Sequence, residues 1–301
     1  MSQTGPRGGG SPSGGAADSE ESLQRAIADA CLGATAGDAM ARDLRGFLEA
    51  RGVPEEDIAA ILAAPPRLAV YRDLVRNSIT SVVLRMLPRT RARMNRDSGL
   101  RTEGGEASDA GRGRFDADLA AFLDESPPRT HYLRDVPAEF LAWVEPRWRA
   151  DPRIPPYLVD LASHELAQFA VGAAAVAHTR AEVGEIAIDA PLAFVESARI
   201  ARHAWAVHEL PADEDDVTVP PARDVRLLAY RDEDHAVRWM DLTPLAAAIL
   251  ERLLAGEPLG GAVERACAEH RTSPAAVLPD IARLLSDLGS RGVLLGARRG
   301  G

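Results

Sequence analysis

The stretch from Arg67 to Arg93, RLAVYRDLVRNSITSVVLRMLPRTRAR, constrains the fold more than any other. Apolar residues at Leu68, Tyr71, Val75, Ile79, Val82, Val83, Met86 and Leu87 recur every three or four positions, the spacing of one helical face. Pro65 and Pro66 cannot sit in a helix interior, so they fix its start, and Pro88 stops or kinks it. The other face carries Arg72, Arg76, Asn77 and Arg85, with Arg89, Arg91, Arg93 and Arg96 following. With Arg67, eight arginines fall within thirty residues of a chain whose formal net charge is −10. The pattern reads as an amphipathic core helix with a solvated basic face.

At 301 residues the chain can build two domains, each with its own core. Aromatic residues make up only 5% and alanine is abundant, which favours helices over large sheets. Every one of the 35 basic residues is arginine. The acidic balance argues against sequence-independent nucleic-acid binding, which needs clustered positive charge to displace counterions. Cys31 and Cys267 stand far apart and lack metal-type spacing, so neither a zinc site nor a disulfide framework is expected. The Met1 end has no apolar core segment of a signal peptide, and no run approaches transmembrane length. The expected compartment is therefore the cytoplasm, with no membrane partner.

Residues 1–18 are rich in Gly, Ser and Pro and are expected to form a disordered tail. Helices are predicted over 19–34 (with Ser19 as its cap), 38–50 and 54–63, leading into the Arg67 stretch. Residues 95–114 are polar and glycine-rich and read as a loop; helix resumes at 116–123 and 138–148. Pro155 and Pro156 open the longest apolar segment, YLVDLASHELAQFAVGAAAVAH. Residues 186–189 are compatible with a short strand, and 191–207 are mixed in pattern. LPADEDDVTVPPARD is acidic, contains proline and has no periodicity. The predicted organisation is thus a helical bundle domain over 19–210, a linker at 211–222 and a second domain over 223–301.

The second domain has a different grammar. Residues 225–230 and 236–242 read as two strands of a hairpin around Asp232, Glu233 and Asp234. Thr243 caps a helix with Pro244 at its first position, and Gly256 ends it. Further helices follow at 259–270 and 274–290, then Gly292 and a last strand at 293–295. The predicted fold class is mainly α with a small α+β domain: an N-terminal bundle and a winged-helix-like ββαααβ module.

Side chains able to carry chemistry are sparse. His164-Glu165-Leu166-Ala167-Gln168 approaches the zinc-protease helix motif, but Gln168 stands where the second histidine ligand is needed. His203 and His208 are five apart, off helical ligand spacing, and read as ordinary histidines. There is no Ser-His-Asp context, phosphate-binding glycine loop or cysteine cluster. The reading is a chain without catalytic residues, cofactor or metal of its own. The C-terminal module leaves two binding options. One is a DNA-binding transcriptional regulator, yet Arg223–Gly301 holds eleven arginines against eleven acidic residues, a poor balance for phosphate contact. The other is an exposed strand edge that adds a peptide strand beside a groove. Val237, Arg238, Trp239 and Met240 on the second hairpin strand, with Leu284 and Leu288 on the last helix, are the candidates for that contact.

Two motifs carry a family resemblance. Arg67-Leu68-x-Val70-Tyr71-Arg72 followed by an apolar helix ending at Pro88 resembles the opening signature of the HvfC/BufC/MbnC family. Tyr157-Leu158-x-Asp160-Leu161-Ala162 followed by Glu165 resembles a later helix of the same family. The terminal module is similar to PqqD-like domains, the peptide-recognition elements of modified-peptide pathways. The resemblance implies a non-catalytic partner in a heterodimer with a multinuclear non-haem iron-dependent oxidative enzyme. The iron would belong to that enzyme, and this chain would hold the leader of a ribosomally made precursor peptide. Arg67, Tyr71, Arg72, Pro88, Asp160 and Glu165 would then be structural or interface positions. Arg67 and Arg72 are the expected partners of Glu165.

Overall fold

A computed structural model describes residues 14–33, 35–96, 113–130, 132–175 and 183–298 of the chain. These fall into two compact units, one of residues 14–33, 35–85, 113–130 and 132–146, the other of 86–96, 147–175 and 183–298. No helix among the described residues is long and apolar enough to cross a membrane.

In the first unit α1 (Gly14–Leu32), α2 (Ala36–Arg42), α3 (Leu44–Glu49) and α4 (Glu55–Leu62) bury Ala26, Ala30, Phe47, Leu48 and Ile58 together. Helix α1 begins at Gly14, so residues 14–18 of the expected tail are helical and Ser19 lies inside the helix; 1–13 lie outside the described residues. The predicted 38–50 helix is two. Asp43 interrupts it, and its carboxylate accepts the Gly46 amide at 2.9 Å as the N-cap of α3. Helix α5 (Pro65–Met86) starts where the proline pair requires. Its arginines are not all solvated. The Arg72 guanidinium donates to the Ala30 and Cys31 carbonyls at the end of α1, at 2.6 and 3.2 Å. One turn on, Arg76 donates to the Leu123 carbonyl and pairs with Asp124 at the end of α7 (Arg114–Glu125). Cations at two helix C-termini satisfy free carbonyls and oppose the negative dipole ends. Phe115 and Phe122 of α7 meet Phe140 of α8 (Val136–Ala150) edge to face, at 5.4 and 5.6 Å between centroids.

The second unit opens with α6 (Pro88–Arg96), whose first residue is the helix-stopping Pro88. Helix α9 (Tyr157–Gly172) packs on a three-stranded antiparallel sheet of β3 (Arg199–Trp205), β4 (Ala222–Arg231) and β5 (Val237–Asp241), in the order β3-β4-β5. Helices α10 (Pro244–Leu254), α11 (Leu259–Glu269) and α12 (Pro274–Ser290) follow. They enclose a core of Leu228, Tyr230, Ile249, Leu253, Val263 and Leu288. Thr243 caps α10 by accepting the Ala246 amide, and Gly256 and Gly292 take the positive φ of 89° and 71° that end α10 and α12.

Three sequence expectations change here. The last strand, β6 (Leu294–Arg298), does not complete the hairpin sheet; it pairs with β1 (Val183–Gly184) and β2 (Leu192–Phe194) in a second sheet. The module is therefore not a closed ββαααβ unit, because a third strand, β3, precedes the hairpin. Residues 211–221 are not a linker between domains but the β3–β4 connection, and the boundary expected there runs through one sheet. That acidic loop is held by the arginine run: Arg93 pairs with Asp216 and donates to the Thr218 carbonyl, Arg96 pairs with Asp215, and Arg89 reaches the Leu210 and Pro211 carbonyls. Residues 186–189, expected as a strand, are irregular chain leading into a turn, the strand lying just before them. Most of the 95–114 loop lies outside the described residues.

Candidate functional site

The two family-like acidic residues sit on α9 five residues apart and bury their carboxylates, with 8% of Asp160 and 5% of Glu165 exposed. Glu165 accepts the backbone amides of Arg89 and Thr90 at 3.0 and 3.1 Å and the Thr90 hydroxyl at 2.6 Å. These are first-turn donors of α6, left free by helix geometry, so the carboxylate acts as a cap supplied by another helix. Burial raises its pKa, against those hydrogen bonds, which lower it. The expected pairing of Glu165 with Arg67 or Arg72 is replaced by this arrangement: Arg89 provides the nearby charge, at 3.5 Å. Arg67 and Tyr71 are exposed positions of α5. They line an apolar groove of about 450 Å3 with Leu23, Ile27, Ile61 and Leu68.

Asp160 accepts the amides of Ala204 and Trp205 at 2.7 and 3.0 Å. It thereby occupies part of the outer edge of β3. The opposite edge of the sheet is β5. The bonds from Asp232 N to the Ala236 carbonyl and from Leu242 N to the Arg226 carbonyl bracket the β4–β5 ladder. Counting inward by twos makes Tyr230 and Arg238 a hydrogen-bonded pair, so the Arg238 amide points into the sheet. The amides of Val237, Trp239 and Asp241 point outward. Arg238 is exposed and pairs with Asp232; Met240 packs on the helical core, as does half-buried Leu284. Leu288 is wholly buried in that core and is a packing residue, out of reach of a ligand on the surface.

Sequence reasoning missed a cluster on the other face of the sheet. His164 of α9 stacks on Trp239 of β5 with centroids 4.1 Å apart, and His203 of β3 lies edge-on to it at 5.4 Å. Both histidines are 4% exposed. Burial, the neighbouring imidazoles and Arg89 hold the His164 pKa down to about 3, and burial lowers that of His203, against the Asp160 charge. His208 places Nε2 3.4 Å from Asp241. Neutral imidazoles here are core groups. Among the described residues no group of three His, Cys, Asp or Glu side chains could hold a metal ion. A signal existed in the sequence, since a polar His164 interrupts an apolar helix, but its partners His203 and Trp239 lie 39 and 75 positions away.

No curated protein matches the chain. Residues 196–289, which begin just before β3 and end in α12, match the family model of the HvfC C-terminal domain.

Proposed function

We propose that the chain is a non-catalytic partner subunit that presents a ribosomally made precursor peptide to an iron-dependent oxidative enzyme, the iron being the enzyme's. The observation that carries this reading is the match of residues 196–289 to the HvfC C-terminal domain. The matched segment contains a sheet with one edge partly closed by Asp160 and one edge strand, β5, whose outward amides can pair with an added leader strand. The docking half of the proposal draws on the first unit. Val70, Tyr71 and Leu74 of α5 are 56%, 52% and 59% exposed, a run of large apolar side chains that a partner would cover. The DNA-binding alternative gains nothing from α12, where Arg283 pairs with Asp280 and Arg291 just beyond pairs with Asp287.

The test uses the full chain with any iron-dependent oxidative enzyme and precursor leader found in its genomic neighbourhood. Proline at Val237 removes an outward donor at the first residue of an edge strand, a position that tolerates proline. Val237→Pro should weaken leader binding at least tenfold while enzyme association persists. Leader affinity unchanged by this substitution would remove β5 as the binding edge, and failure of the chain to associate with the enzyme would overturn the partner reading.

A further inference from the structure

We infer that the second unit carries another docking site, distinct from β5, which takes a basic amphipathic helix. The site is an apolar groove of about 660 Å3 between α11, α12 and the segment that follows β1. One wall is the face of α12 from Pro274 through Leu278, Ile281 and Leu285 to Gly289. Those fifteen helical steps make a trough about 22 Å long. Leu259 and Val263 of α11 form the other wall, and Ile186 and Ile188 form the rim.

The rim is fixed in place. The Ile188 carbonyl accepts the Gly260 amide at 2.7 Å, and the Ala190 carbonyl accepts that of Leu259 at 3.4 Å. Gly260 permits this approach, because a Cβ there would lie 3.2 Å from the Ile188 oxygen. Even so, Ile186, Ile188 and Leu278 remain 48%, 64% and 48% exposed around the groove. At its far end, Gly289 has no atom within 4 Å of where a Cβ would stand, so the absence of a side chain keeps the trough open.

Two features select the occupant. The long walls are helices whose backbone groups bond internally, so they offer side chains and no ladder. An extended peptide lying there would bury unpaired main-chain groups, whereas a helix satisfies its own. The second feature is charge. Glu264 lines the groove, and Glu185 and Asp189 flank the rim isoleucines. Among the described residues none of the three forms an ion pair. Arginines nearby are already engaged, Arg265 with Glu257 and Arg283 with Asp280. An apolar trough with a free acidic border complements a helix that is apolar on one side and basic on the other.

The test titrates the full-length chain with a fluorescein-labelled eighteen-residue helix bearing leucines on one face and arginines on the other. A second helix keeps the leucines and replaces every arginine by glutamate. The basic helix should bind at least tenfold more tightly than the acidic one. Leu278→Arg, at an exposed position, and Gly289→Trp, into open space, should each weaken the basic helix at least tenfold with circular dichroism unchanged. Val237→Pro should leave this affinity within twofold. Equal affinity for the two helices, no binding of either at 1 mM, or full affinity in both groove variants would overturn the inference. Loss of binding in Val237→Pro alone would do the same.

Discussion

The buried histidines make the second unit sensitive to acid, and the size of the effect can be worked out for His164. In the unfolded chain this imidazole titrates near 6.5, while in the fold its pKa is about 3. Between those values the unfolded state binds the extra proton, so stability falls as pH falls; above 6.5 neither state is protonated and the contribution is fully retained. At pH 5 the unfolded imidazole is almost wholly charged and the folded one neutral, which costs about 2 kcal/mol relative to pH 7.5. His203 is also shifted downward and adds a loss of the same sign. Glu165 opposes it: its raised pKa makes the folded state the better proton acceptor as pH falls toward the ordinary carboxylate range. The assay is urea unfolding followed by tryptophan fluorescence, since Trp239 stacks on His164. With a slope of roughly 1–3 kcal/mol per molar urea, the midpoint should drop by about 1 M from pH 7.5 to pH 5. His164→Asn should flatten that slope even if it shifts the absolute midpoint. A midpoint independent of pH over this range, or a pH slope unchanged in the variant, would refute the reasoning.

Other substitutions test the contacts that build the fold. Glu165→Ala strips three donors of a partner in a buried site and should cost about 3–5 kcal/mol, read as a fall in Tm, whereas the exposed Glu56→Ala should stay within about 0.5 kcal/mol. Arg93→Ala removes the pair with Asp216 and the bond to the Thr218 carbonyl. It should cost about 2–3 kcal/mol and speed proteolysis within residues 211–221. Gly289→Ala should stabilise by about 0.5–1 kcal/mol in thermal unfolding, because the residue is helical and the added methyl meets open space.

Local signals were legible in the sequence and long-range ones were not. Pro65, Pro244, Gly256 and the 274–290 helix behave as their residue types require, because each acts within one turn of its own backbone. The break at Asp43 is equally local but rests on one side chain competing for one amide, which apolar periodicity does not register. Strand β3 was hidden because Arg199–Trp205 alternates poorly, its buried member being the polar His203. The acidic segment after it reads as a linker on composition alone. What orders it is Arg93, more than a hundred residues earlier, and no window of sequence contains both partners. The same holds for the candidate site. Asp160 and Glu165 stood out as charges in an apolar helix, yet their partners are backbone amides, which every residue type carries.

These two carboxylates also explain how α9 organises the unit around it. A three-stranded open sheet has two edges, and each is a row of backbone groups able to recruit a foreign strand. Asp160 takes two amides at the end of β3, so strand addition there would first have to displace a buried carboxylate. Five residues further along the same helix, Glu165 fixes the start of α6, and α6 in turn holds the β3–β4 loop through Arg93 and Arg96. Removing either acid therefore loosens the β3 side of the sheet, one directly and the other through the loop. The β5 edge depends on neither. Its outward amides follow from the register with β4, and its two faces are set by Trp239 against His164 on one side and Met240 against the helical core on the other. Helix α9 thus makes the sheet asymmetric, and the asymmetry leaves β5 as the edge on which an added strand meets the least competition.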